Sequence, residues 1–126
     1  MDKLILRIKP LSTNEMHLGK KVDSAKYRKW AAQVCRLLPD ASTLSIDFKK
    51  PIAIHVDATF RNRLSDLDNI WKPLLDAMQR KYEDFNDNKV VLMSAAKYIT
   101  KDEEQTGYVI KIKNTQEPKR LATNKS

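Results

Sequence analysis

The sequence has one cysteine, two glycines and no apolar run near the ~20 residues that a bilayer-spanning helix needs. The lone Cys35 can neither close an internal disulfide nor build a cysteine-based zinc site, which takes two or more thiolates, and it suits a reducing compartment. Met1 to Pro10 includes Asp2, Lys3, Arg7 and Lys9, so no secretory apolar stretch is expected and a cytoplasmic location, without membrane association, is anticipated. The two histidines, His17 and His55, have no second histidine at ligand spacing and read as ordinary surface residues. What remains is 126 residues, 41% of them hydrophobic, enough for one domain with one core and too few for two.

Charge is plentiful and uneven. The formal net charge is +8, which favours polyanionic partners over acidic small substrates. Between Asp66 and Asp87, however, six acids face only Lys72, Arg80 and Lys81, a local charge of −3 that leaves +11 for the rest of the chain. An acidic island in a basic protein would repel a polyanion unless a cation lay between them.

Periodicity orders the chain as strand, helix, strand, helix, strand, strand. Leu4, Leu6 and Ile8 alternate with polar residues, predicting a strand over about 3–9 that Pro10 ends, with a polar surface loop over 12–21 around Gly19. Asp23 or Ser24 can cap a helix with apolar positions Tyr27, Trp30, Ala31, Val34, Leu37 and Leu38, stopped by Pro39. Its other face carries Lys26 and Lys29, which fit either a solvated surface or contact with DNA. Ile52 to Phe60 alternates as a second strand. Leu67, Ile70, Trp71, Leu74, Leu75 and Met78 predict a helix over about 67–81. Runs 90–98 and 108–113 read as two further strands, and the short polar link between them predicts that they pair as a hairpin. The expected fold is a small α/β (α+β) domain over 1–113, a four-stranded mixed sheet with two packed helices, followed by a basic, disordered tail over 114–126 holding Lys119, Arg120 and Lys125. Trp30, Trp71 and Cys35 lie on or beside apolar helix faces and read as core or interface.

The segment with chemistry in it is Ser65-Asp66-Leu67-Asp68-Asn69-Ile70-Trp71-Lys72-Pro73-Leu74-Leu75-Asp76-Ala77, followed by Asn86-Asp87 before Val90-Val91. With Leu67 buried, Asp68, Lys72 and Asp76 form a ridge at i, i+4 and i+8 on the solvent side. Asp66 and Asp68, at a strand-to-helix junction, can aim their oxygens at one point as a hard cation such as Mg²⁺ requires, or can serve only as helix caps. Lys72 can reach a phosphate or orient a water, or can simply pair along the helix. Pro73 cannot donate to the carbonyl of Asn69, so the helix begins late or leaves that oxygen free.

In these residues the chain resembles the RusA family of Holliday junction resolvases. The shared pattern is Asp-x-Asp-Asn at Asp66, Asp68 and Asn69, a lysine four residues on at Lys72, the pair Asp76-Ala77 after another four, and Asp87 ahead of Val90-Val91. The resemblance implies a homodimeric endonuclease that cuts four-way junction DNA with Mg²⁺, Mn²⁺ being able to substitute, in recombination and repair. It implies no small-molecule substrate. By the same resemblance Asp66, Asp68 and Asp87 are metal-binding catalytic carboxylates, Lys72 is the catalytic lysine, and Asn69 and Asp76 support them. Asn86 stands where the family usually has a second acid, so no metal ligation is expected there. Arg61 and Arg63, just upstream, are candidate phosphate contacts. The alternative function is a module that binds branched or single-stranded nucleic acid without cutting it.

Overall fold

The computed structural model describes residues 1–16 and 23–118. Residues 17–21 of the predicted 12–21 loop, with His17 and Gly19, and the tail residues Lys119, Arg120 and Lys125 lie outside the described residues.

Strand β1 is Asp2–Leu6, shorter than its pattern, with Leu4 and Leu6 buried. After a single 3-10 turn at Thr13–Glu15, helix α1 runs Ala25–Leu37. Of its two candidate caps Ser24 serves: its Oγ accepts the Tyr27 N–H at 2.9 Å and donates to the Glu15 carbonyl at 2.6 Å. Tyr27, Trp30, Ala31 and Val34 are buried as their spacing requires, but Leu37 is 42% exposed and falls outside the buried stripe, which closes instead with Leu38. Strand β2 is Ile52–Phe60, its even-numbered residues buried throughout.

The predicted second helix divides in two. Leu67–Ile70 is a 3-10 turn, and helix α2 proper is Trp71–Lys81. This is the late start that Pro73 imposes: proline lies in the first α-helical turn, where its missing N–H costs nothing. The Asn69 carbonyl that it leaves unserved accepts the Thr13 hydroxyl at 3.0 Å.

Strands β3 (Val90–Ile99) and β4 (Gly107–Asn114) complete the order β-α-β-α-β-β. They do not pair as a hairpin. The sheet order is β1-β4-β2-β3, with β3 parallel to β2 and β4 antiparallel to both β1 and β2. Burial explains the difference. Strand β4 alternates with Tyr108, Ile110 and Ile112 buried and so belongs inside the sheet, whereas β3 leaves Leu92, Met93, Tyr98 and Ile99 exposed and suits the edge. The link 100–106 therefore crosses the end of β2, and the Thr100 N–H donates to the Phe60 carbonyl at 2.9 Å. Strand β4 also reaches Asn114, and the Thr115 N–H bonds the Pro51 carbonyl at 3.0 Å, so ordered contacts pass the expected boundary at 113.

Both helices contribute to one core against the sheet, with Leu4, Leu6, Ile54, Val56, Ile110 and Ile112 opposite Tyr27, Val34, Leu74 and Met78. No helix among the described residues is long and apolar enough to cross a membrane.

Candidate active site

The acidic corner forms where β2 ends and α2 begins, at the carboxyl edge of a parallel β-α-β unit, where open α/β sheets bind ligands. Asp66 occupies the N-cap position of the 3-10 turn with extended backbone, and Asp68 lies in its first turn. Both are exposed. The Asp66 side chain does not cap the turn; its Oδ2 accepts from Asn69 Nδ2 at 3.3 Å. That contact joins Asn69 to the Asp66 carboxylate.

On the ridge one turn along, Lys72 Nζ is 3.6 Å from Asp76 Oδ2. Gln79 Nε2 donates to Asp76 Oδ1 at 3.5 Å, and Gln79 Oε1 accepts the Asp87 N–H at 3.0 Å. A hydrogen-bonded line thus runs Lys72–Asp76–Gln79–Asp87 and fixes the turn Asp87–Lys89 against α2. Gln79 had not been singled out from the sequence, because a glutamine on a helix carries no mark of the turn it will hold. Asn86 accepts the Asn88 N–H at 3.0 Å, a turn-forming use of its amide.

Among the described residues no three His, Cys, Asp or Glu side chains converge closely enough to hold a metal, so Asp66, Asp68 and Asp87 are not a ready-made cage. The donor chemistry nonetheless fits Mg²⁺, which commonly takes one or two carboxylates and fills its shell with waters and substrate phosphate. The carboxylates of Asp68 and Asp87 are exposed and have no hydrogen bond or ion pair.

Beside Asp66 and Asn69 opens a cleft of about 480 Å³, walled on its far side by Lys9, Pro10, Ser12 and Asn14. Arg61 lines it too, with its guanidinium 4.0 Å from Glu103. Arg63 lends its backbone instead: its carbonyl and that of Ser65 both accept from Lys97 Nζ, which ties the loop before the acidic corner to β3. Lys97 was also missed by the sequence reading, since a single lysine in an edge strand looks like a solubilising residue. A second cleft of about 420 Å³ gathers Arg7, Lys9, Lys26 and Lys29 together with Glu103 and Glu104, and shares Lys9 and Glu103 with the first. Lys26 pairs with Glu15, while Lys29 has no acidic partner. Burial opposes ionisation of Glu15, but Lys26 and the Ser12 N–H (3.0 Å) outweigh it and hold the carboxyl below its ordinary range.

A sequence profile described as Endodeoxyribonuclease RusA matches residues 9–113, a span that holds the whole acidic corner and the cleft beside it. The chain belongs to the RusA endodeoxyribonuclease family. No individually curated protein matches it. Membership in the RusA family implies an endonuclease that resolves Holliday junctions, and it gives the +8 charge a polyanionic partner in junction DNA. The remaining conspicuous residues of this RusA-family chain are structural. Trp30 Nε1 donates to the Lys9 carbonyl at 2.9 Å, Trp71 packs against the core, and half-buried Cys35 contacts the Ala77 carbonyl at 3.5 Å. His55 is not simply solvated: its ring nitrogens lie 2.7 Å from Ser94 Oγ and 2.8 Å from Asp57 Oδ1.

Proposed function

We propose that this protein resolves four-way DNA junctions by metal-dependent, paired nicking as a homodimer. The observation that carries the reading is the pair of exposed carboxylates, Asp68 and Asp87, with no partner among the described residues, together with a lysine, Lys72, already paired with Asp76. Asp66, Asp68 and Asp87 would hold Mg²⁺ or Mn²⁺. The chemistry such a cation supplies when bound is polarisation of the scissile phosphate and a lowered pKa for a coordinated water.

The residues of the chain do the rest. Lys72 places a positive charge beside the phosphoryl oxygens as negative charge grows on them, and Asp76 holds that ammonium in place so that little reorganisation accompanies the reaction. Asn69 steadies the Asp66 carboxylate, and Gln79 steadies the turn bearing Asp87. Arg61, Arg63, Lys26 and Lys29 contact phosphates and position the DNA without reading its sequence.

A junction presents two equivalent strands and the chain has one acidic corner, so two protomers are needed for paired cuts. The long outer edge of β3, with Leu92, Met93, Tyr98 and Ile99 exposed and no partner strand, suits contact with a second copy. A cytoplasmic, nucleoid-associated location accords with this activity.

The test is incubation of labelled four-way junction with Mg²⁺ or EDTA, alongside a cruciform plasmid. Junction cut only with the cation, and plasmid converted to linear product, supports the reading. Junction bound but never cut in either condition replaces it with the non-catalytic binding module.

A further inference from the structure

The helices cover one face of the sheet, and the opposite face carries a cluster of cations that the acidic corner does not use. On that face Lys3 of β1 is directly opposite Lys111 of β4, Lys111 is opposite His55 of β2, and Lys113 follows one pleat along, opposite Ala53. Like charges directly across a sheet repel and destabilise it. Among the described residues none of the three lysines has an acidic partner. The only acidic strand residue on this face, Asp57, is committed to His55, and Asp2, which points to the other side, accepts from Ser45 and Ile46. The protein thus keeps three neighbouring ammonium groups that make no ion pair among the described residues.

The cluster also has a direction. Ile5, Arg7 and Lys9 continue the alternation from Lys3, and Arg7 and Lys9 line the basic cleft while Lys9 also walls the cleft of Asp66. The six-residue step from Lys3 to Lys9 spans at most roughly 20 Å. At about 3.4 Å per phosphate on one strand, that is the reach of some six phosphates.

Resting on the endonuclease reading above, we propose that the uncovered sheet face binds the phosphate backbone of one duplex arm of the junction, with Lys3, Lys111 and Lys113 as phosphate contacts. Lys9 and Arg7 then carry the strand round the end of β1 into the acidic corner. Charge selects this occupant: three uncompensated cations in adjacent register match a polyanion, and they would repel a second copy of the same face.

The experiment measures equilibrium binding of a labelled four-way junction in EDTA over a range of salt concentrations. It compares the wild type, the triple variant Lys3→Gln/Lys111→Gln/Lys113→Gln, the matching triple Lys→Arg, and Lys50→Gln, whose ammonium already lies 3.9 Å from Asp47. Each lost phosphate contact removes about 0.9 from the log–log slope, so the glutamine triple should lose roughly 2.7 while the arginine triple and Lys50→Gln keep the wild-type slope. A glutamine triple that melts like the wild type and keeps its slope overturns the proposal, as does an equal loss in Lys50→Gln. Wild-type cleavage with Mg²⁺ is scored separately. Cleavage with an unchanged slope in the glutamine triple removes the surface and leaves the endonuclease, whereas a reduced slope without wild-type cleavage removes the endonuclease and leaves the surface.

Discussion

Lys72 and Asp76 lie on an exposed helix face, where an i, i+4 ion pair contributes only about 0.3–0.5 kcal/mol to stability. The lysine is therefore nearly irrelevant to folding, and its effect on catalysis can be measured cleanly. Lys72→Ala should lower the single-turnover cleavage rate by about 100-fold, the usual scale for losing one preorganised charge at a transition state, while changing the melting temperature little. Single-turnover kinetics and a thermal melt read the two effects independently; an unchanged rate removes Lys72 from the chemistry. Asp68→Asn and Asp87→Asn should each abolish cleavage and leave junction binding intact or slightly tighter, because a carboxylate that would repel DNA has been neutralised. Gel-shift and nicking assays on the same preparations check this.

Glu15 makes a separate prediction with a definite sign. Its carboxyl is held below the ordinary 4.5 in the fold, so the unfolded chain takes up protons first as pH falls. The stabilising contribution is complete above that value and is lost as pH drops through the lower folded one. Melts between about pH 6 and pH 3 should show a loss that Glu15→Gln lacks.

At the scale of elements, the acidic corner depends on clasps from outside α2. Lys97→Met should leave the core intact but free the loop 61–65 from β3, slowing cleavage by about 10-fold with a smaller change in melting, and Lys97→Arg should recover part of the rate. Gly107 opens β4 with φ near +144°, and a Cβ there would meet the Leu6 carbonyl oxygen at 2.1 Å. Gly107→Ala should therefore cost more than the roughly 1 kcal/mol typical of such backbone changes, as read by urea unfolding.

How much of this was legible in the sequence depends on the range of the interaction. The local registers were readable: Ile52 to Phe60 gave β2, while Pro73 left a late helix start as one of two readings. Asp66, Asp68, Asn69, Lys72 and Asp76 identified the corner because they lie within 11 residues. The roles of Gln79 and Lys97 were not readable, since each acts on residues brought near only by the fold. The hairpin expectation for β3 and β4 failed for the same reason: a short link is compatible with pairing, and only the demand to bury Tyr108, Ile110 and Ile112 on both sides sends β4 past β2.

For the molecule as a whole, three buried tyrosines set an alkaline limit. Burial raises Tyr27, Tyr82 and Tyr108 above the ordinary 10.0, Tyr82 to about 12. The folded chain keeps these phenols protonated where the unfolded chain would release them. The contribution of the tyrosines to stability should be level below pH 10 and fall steadily from there toward 12, as followed by circular dichroism with tyrosinate absorbance.

The placement of β4 also governs the order in which the protein can be built. Strand β1 precedes the other three strands in the chain, yet its only sheet partner among the described residues is β4, and Leu4 waits for Ile110, more than a hundred residues later. The unit β2–α2–β3, and with it the acidic corner, is joined by contacts closer in sequence than those between β1 and β4. The opposite wall of the cleft, Lys9 to Asn14, is anchored by Tyr108, whose hydroxyl accepts the Leu11 N–H at 3.2 Å. A nascent chain emerging from the ribosome therefore holds its acidic residues before it holds the groove that would present DNA to them. Pairing of β4 with β1, a contact this distant in sequence, is the slow kind of step in folding, and the cleft is complete only after it.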